Sequence, residues 1–232
     1  MIYNQPMKRT LVATKDGSKT LQIEEWGEHY HSIHGALQES RHVYIQAGLD
    51  FFLSKNTNIT SLNVLEAGFG TGLNALLACL WAQDKAIQVD YFSIEAYPLS
   101  EKEISGLDFH KVLAEKNSKD IYKELHEAKW EELVPMHSMF RLQKQQCLFS
   151  EADFKDQIDI VFYDAFGPRV QPELWTEDSF KTFYKALKPG GVFVTYSVKG
   201  TAKRALQSLG FSIDIIEGPP GKRHMMRAQK PY

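Results

Sequence analysis

Apolar and polar positions alternate through KRTLVATKDGSKTLQIEEW, Lys8 to Trp26, around the pair Asp16-Gly17, and that period predicts a β-hairpin. The period then lengthens. Ile33, Ala36, Leu37, Val43, Tyr44, Ala47, Phe51 and Phe52 fall on one helical stripe that ends near SKNTN. From Leu62 the two periods take turns. Strand LNVLEA leads to a helix over 71–81, strand IQVDYFSIEA to helical material reaching Trp130, and two strands follow near FRLQKQQCLF and in IDIVFYDAF. Helix TEDSFKTFYKALK, turn PGG and strand VFVTYS come next, then helix TAKRALQSL, strand FSIDIIE, turn GPPGKR and strand HMMRA. Strands separated by helices require parallel crossovers, so the expectation is an α/β, doubly wound, mostly parallel sheet covered on both faces. The last two strands are too tightly joined for a crossover and predict an antiparallel hairpin at the sheet edge.

The chain of 232 residues, 43% hydrophobic with four Trp, ten Tyr and fourteen Phe, suffices for one large core. A small N-terminal extension, residues 1–60, is expected to pack on a main domain, residues 61–232. The longest apolar runs are strand-length, and MIYNQPMKRTLVATKDGS lacks the apolar core of a signal peptide, which predicts a cytoplasmic protein away from membranes. Cys79 and Cys147 show neither CxxC spacing nor a disulfide framework and are expected to be buried and reduced. The net charge of -2 hides an asymmetry: from Ser197 onward, seven Lys or Arg face only Asp214 and Glu217. That tail is a candidate phosphate-binding face on an otherwise acidic chain.

VLEAGFGTGLN, Val64 to Asn74, runs a strand into three glycines at alternate positions and then a helix. Gly68, Gly70 and Gly72 let backbone N–H groups approach a ligand. Their spacing is GxGxG, whereas the dinucleotide fingerprint GxGxxG places its third glycine where this chain has Leu73. Glu66, just ahead of the loop, suits an ammonium better than a pyrophosphate, and Glu95, at the end of the next strand, suits ribose hydroxyls. Ribose plus a zwitterionic tail without phosphate describes S-adenosylmethionine. Asp153, in SEADF, is the candidate adenine contact.

Strand IDIVFYDAF delivers Asp164 to its carboxyl end, beside the glycine loop, and makes it the leading catalytic candidate. Its alternative role is a turn-former before Gly167-Pro168. His29, His31 and His34 cluster without a defined fourth ligand, so no metal is expected. Phe166 and Trp175 are candidates to stack on an acceptor base, with Tyr196 nearby.

EAGFGTGLN, DAFGPRVQPELWT, LKPGGVFVTYS, KRALQSLGF and GPPGKRHMM, with YHS and GALQESRHVY upstream, resemble the bacterial tRNA 5-methylaminomethyl-2-thiouridine methyltransferases. These comprise a free-standing form, MnmD, and the methyltransferase half of bifunctional MnmC. The resemblance covers nearly the whole chain from about Thr10. Its specific part is the Asp-x-Phe-x-Pro…Pro-x-x-Trp-Thr signature. It implies a Rossmann-like class I methyltransferase that uses S-adenosylmethionine to methylate the exocyclic amine of 5-aminomethyl-(2-thio)uridine at the tRNA wobble position. It also implies that Asp164 is the signature aspartate, that Tyr30, Ser32, Glu39 and Asn74 join Glu66, Gly68, Gly70, Gly72, Glu95 and Asp153 around the donor, and that the protein acts on an anticodon stem-loop. Lys199, Lys203, Arg204, Lys222 and Arg223 are the candidate phosphate contacts, and a monomer is expected. Lys199 and Pro220 depart from the bifunctional form's small residues, and 100–140 holds no family motif. The alternative is a class I methyltransferase acting on a small molecule or protein.

Overall fold

The computed structural model describes residues 8–113 and 115–232; the first seven residues of the expected N-terminal extension lie outside them. The predicted hairpin forms from β1 (Arg9–Ala13) and β2 (Lys19–Ile23), paired antiparallel, and β3 (Glu28–His29) adds a third strand. The helical stripe becomes a continuous run. α1 (Ala36–Ser40) passes through a π-helical stretch (Arg41–Asp50) into α2 (Phe51–Lys55). Gly48 lets the π-helical stretch lie on the sheet, because a Cβ there would come within 3.2 Å of the Phe162 ring and 3.3 Å of Val194.

The large sheet is built from β4 (Ser61–Ala67), β5 (Gln88–Ile94), β6 (Val134–His137), β7 (Phe140–Gln145), β8 (Ile158–Tyr163), β9 (Leu187–Thr195), β10 (Ser212–Glu217) and β11 (His224–Gln229). Its order is β10-β11-β9-β8-β4-β5-β7-β6. Five central strands run parallel, and antiparallel pairs close both edges. The C-terminal hairpin is where the sequence places it. β6, by contrast, is a strand that periodicity did not reveal.

Side-chain alternation assigns the faces. Val64, Ile160, Phe162, Val192 and Val194 pack on one side with Tyr44 and with α3 (Leu73–Lys85). Leu65, Val161, Tyr163 and Phe193 pack on the other with Phe180 and Phe183 of α7 (Glu177–Ala186) and with α8 (Gly200–Ser208). Between β5 and β6 the chain forms α4 (Glu101–Ser105), α5 (Phe109–Leu113) and α6 (Ser118–Glu127). Ile121, Tyr122 and Leu125 make the buried stripe of α6.

PGG is not the free turn expected. Ile158 pairs with Leu187 and Ile160 with Val192, so Pro189, Gly190 and Gly191 bulge within β9, with Gly190 at φ 78°. Cys79 is buried, but Cys147 is only half-buried, a correction of the expectation for both. No helix among the described residues is long and apolar enough to cross a membrane.

Candidate active site

β4 ends at Ala67 and the chain turns through Gly68, Gly70 and Gly72, all at positive φ, into α3. The loop is strapped from several sides. The Tyr122 hydroxyl donates to the Thr71 carbonyl at 2.8 Å, His126 Nε2 lies 3.1 Å from the same oxygen, and His31 Nε2 is 2.7 Å from the Thr71 hydroxyl. Phe69 packs edge-on against His126, while the buried ammonium of Lys144 lies 5.3 Å from the Phe69 ring and 4.9 Å from Trp130. Burial lowers Lys144 to about 8 and His126 to about 4.

At the carboxyl ends of β4, β5 and β8 lies a cavity of about 660 Å³. Asp164, Asn74, Gly68, Gly70, Glu95, Tyr30, Ser32, Glu39, Phe166, Tyr196 and Lys222 all line it, so the structure brings most of the predicted site residues together. Glu95 closes onto the loop. Its carboxylate accepts from Gly70 N–H at 2.9 Å and from Tyr97 N–H at 2.8 Å.

Asp164 is held from two directions. The Tyr44 hydroxyl donates to Oδ1 at 2.6 Å and Asn74 Nδ2 donates to Oδ2 at 2.8 Å. Burial pushes its carboxyl up, opposed by nearby His31 and by the Tyr44 hydrogen bond. The Asp164 side chain therefore has fixed partners facing the cavity, which a turn-former would not need. Tyr44 was missed as a site residue because it sits in an apolar stripe. The π-helical geometry that aims it is invisible in sequence, although such stretches often mark functional sites.

The wall formed by the N-terminal segment is also built by polar contacts. Ser32 N–H donates to Glu39 Oε2 at 2.8 Å, and Lys222 Nζ donates to Glu39 Oε1 at 2.6 Å while lying 3.8 Å from the Tyr196 ring centroid. Lys222 was expected to contact phosphate; it is instead committed to the buried Glu39 inside the cavity. At the rim, Arg169 pairs with Glu28 at 2.9 Å, and Phe166 packs edge-on against Trp26 and Tyr30.

Other expectations are corrected. Glu66 is fully buried and lies outside the cavity, behind the loop, where the Ser93 hydroxyl donates to Oε2 at 2.7 Å. It faces α3 because it falls at the same alternate positions of β4 as Leu62 and Val64, which pack on that side of the sheet. Gly72 shapes the turn and does not line the cavity; a Cβ there would lie 2.8 Å from His126 Nε2. Asp153 is exposed and off the cavity, whose wall here is Leu148, Phe149 and Ser150. Trp175 is core: its indole N–H donates to the Phe166 carbonyl at 2.8 Å and its ring packs on Tyr163, Phe180 and Tyr196. Lys199, Lys203, Arg204 and Arg223 lie outside the cavity. Among the described residues, no group of three or more His, Cys, Asp and Glu side chains could hold a metal.

The profile of a family described as S-adenosyl-L-methionine-dependent methyltransferases matches residues 121–231. The chain is 31% identical over 227 residues to "tRNA 5-methylaminomethyl-2-thiouridine biosynthesis bifunctional protein MnmC" of Nitrosospira multiformis, covering 91% of this chain and 35% of that protein. The protein of the same name from Leptospira borgpetersenii serovar Hardjo-bovis is 31% identical over 211 residues, covering 85% and 31%. The chain thus spans about a third of the length of these relatives. The crystal structure of MNMC2 from Aquifex aeolicus superposes with a TM-score of 0.79 at 27% identity, covering 99% of this chain and 74% of that one.

Proposed function

From a chain that has the class I S-adenosyl-L-methionine-dependent methyltransferase fold and is related to MnmC, we propose an enzyme that methylates the amine of 5-aminomethyl-(2-thio)uridine at the tRNA wobble position. The product is 5-methylaminomethyl-(2-thio)uridine. The observation that carries this reading is Asp164, held by Tyr44 and Asn74 on the floor of a cavity that it shares with the glycine loop and Glu95.

The residues present fit the donor. Gly68 and Gly70 keep the loop free of side chains: a Cβ at Gly70 would stand 3.2 Å from the Tyr30 ring. Glu95 lies where a carboxylate accepts ribose hydroxyls. Leu148, Phe149 and Ser150 offer an apolar slot with one polar edge, which suits adenine better than exposed Asp153 does. The cavity is large enough for a nucleoside-sized donor and an extruded base together. When bound, the donor supplies an electrophilic methyl group on a sulfonium.

The chain's own residues must deliver a neutral amine. A primary alkylamine is mostly protonated at neutral pH, and freeing its lone pair costs about 1.4 kcal/mol for each pKa unit between amine and solution. Enclosure disfavours the cation and offsets part of this. Asp164 accepts the amine's N–H, aims its lone pair at the methyl and takes up the displaced proton at a carboxylate oxygen. Tyr44 and Asn74 hold that carboxylate in one orientation. Phe166 and Tyr30 form the aromatic wall on which a flipped uridine stacks.

The test is transfer of labelled methyl to bulk tRNA from a strain lacking this modification, followed by nucleoside analysis. Label in 5-methylaminomethyl-(2-thio)uridine is the expected result; label elsewhere, or only in small molecules or protein, overturns the acceptor assignment.

A further inference from the structure

Behind the cavity, three polar atoms are buried without a hydrogen-bond partner, Glu66 Oε1, Asn74 Oδ1 and the Tyr91 hydroxyl, and the Glu66 carboxyl neighbours both Asn74 and Tyr91. Their elements explain the meeting. Glu66 and Tyr91 stand on the same face of neighbouring parallel strands, two register positions apart, and α3 covers that face with Asn74 in its first turn. Glu66 and Tyr91 are fully buried and Asn74 nearly so. Glu66 is already bonded through Oε2 to the Ser93 hydroxyl, and Asn74 through Nδ2 to Asp164.

Counting protons decides the state of this cluster. With Glu66 ionised, Tyr91 has one proton for two orphaned acceptors, and one buried oxygen stays unpaired, at a substantial desolvation cost. With Glu66 neutral, Tyr91 donates to the carboxyl and the carboxyl donates to the amide oxygen, and every atom is served. We propose that Glu66 is a positioning residue: a neutral carboxylic acid that donates into this cluster, orients the Asn74 amide and so keeps its N–H on Asp164. Burial and the nearby charge of Asp164 push Glu66 well above the carboxylate range, against the opposing contacts of Ser93, Asn74 and Tyr91. The acid ahead of the glycine loop thus serves the acceptor side of the reaction from beneath, with no ligand contact of its own. The inference rests on Asp164 being the group that handles the amine.

The experiment uses the full chain and three readouts. First, the infrared difference between wild type and Glu66→Gln at pH 7 should contain a neutral carboxyl band; carboxylate bands there, as an ion solvated by trapped water would give, overturn the proposal. Second, Glu66→Leu should lower kcat about tenfold or more while Glu66→Gln, which keeps a neutral donor, recovers most of the loss. S-adenosylhomocysteine affinity by calorimetry should be unchanged in Glu66→Gln. A Gln variant as impaired as Leu, or one that loses nucleoside affinity, shows that the negative charge is required and refutes a neutral donor. Third, Glu66→Leu loosens Asn74 from Asp164, so the acid limb of its pH–rate profile should move to higher pH, and Glu66→Gln should restore it. Should wild type transfer no methyl to tRNA, the wobble reading fails while the infrared band still decides the state of Glu66.

Discussion

Asp164 combines two demands that oppose each other. A carboxyl in a largely enclosed site is easier to protonate, yet in the proposed reaction it must be ionised to accept a proton from the amine. Its pKa is raised above that of an ordinary aspartate, so in the proposed reaction the active form is lost as pH falls through that raised value. Tyr44 acts against the shift by donating to the ionised form. Tyr44→Phe removes a hydrogen bond to the ionised form and should therefore raise the Asp164 pKa further. The acid limb of kcat should move to higher pH while the KM for the methyl donor stays put; an unmoved limb means that another group sets it. Asp164→Asn should lower kcat by about a hundredfold or more and leave S-adenosylhomocysteine binding intact. The residue types at this site were legible because Asp164 and Glu95 end strands whose pattern is unambiguous. Their partners were not: Tyr44 reads as one more apolar-stripe residue, and Glu66 differs from a ligand-facing acid only in the direction its strand register gives it.

At the scale of elements, the glycine loop owes its shape to α6 as much as to its own composition. Tyr122 and His126 both reach the Thr71 carbonyl, and His126 also packs on Phe69. This helix lies in the stretch without a family motif, so its function as a brace came only from the fold. The parallel strands and their helices were readable because two periods alternate cleanly, whereas β6 is a four-residue strand whose register against neighbouring β7 is irregular, and the bulge in β9 depends on its pairing with β8. His126 gives the brace a pH dependence of defined sign. Burial holds its folded-state pKa at about 4, below the 6.5 of an unfolded histidine, so the unfolded chain takes up a proton first as pH falls. Its contribution to stability is complete above about pH 6.5 and is lost progressively between there and pH 4. Thermal melts of wild type should fall across that window, and His126→Gln, which removes the titration but keeps an N–H donor, should melt with a shallower slope. Parallel slopes would show that other groups dominate the acid response.

Across the whole molecule, the charge asymmetry of the sequence resolves into two populations. Arg227 and Lys230 pair with Asp214 and Asp156, and Lys222 is taken by Glu39. Lys199, Lys203, Arg204 and Arg223 form no ion pair among the described residues. All four follow the carboxyl end of β9 or sit in the β10–β11 turn that returns to it, the same end of the sheet as the cavity. Cations left unpaired beside a reaction cavity are suited to phosphates flanking an extruded base, because each phosphate they neutralise releases condensed counterions and so favours binding at low salt. Replacing all four by Gln should weaken tRNA binding and flatten the slope of log affinity against log salt by about 0.7 to 0.9 for each phosphate no longer neutralised. S-adenosylhomocysteine affinity and kcat at saturating tRNA should be preserved, since none of the four lines the cavity. An unchanged salt slope would place the RNA on another face, and a fall in kcat at saturation would mean that these cations orient the wobble base as well as capture its stem.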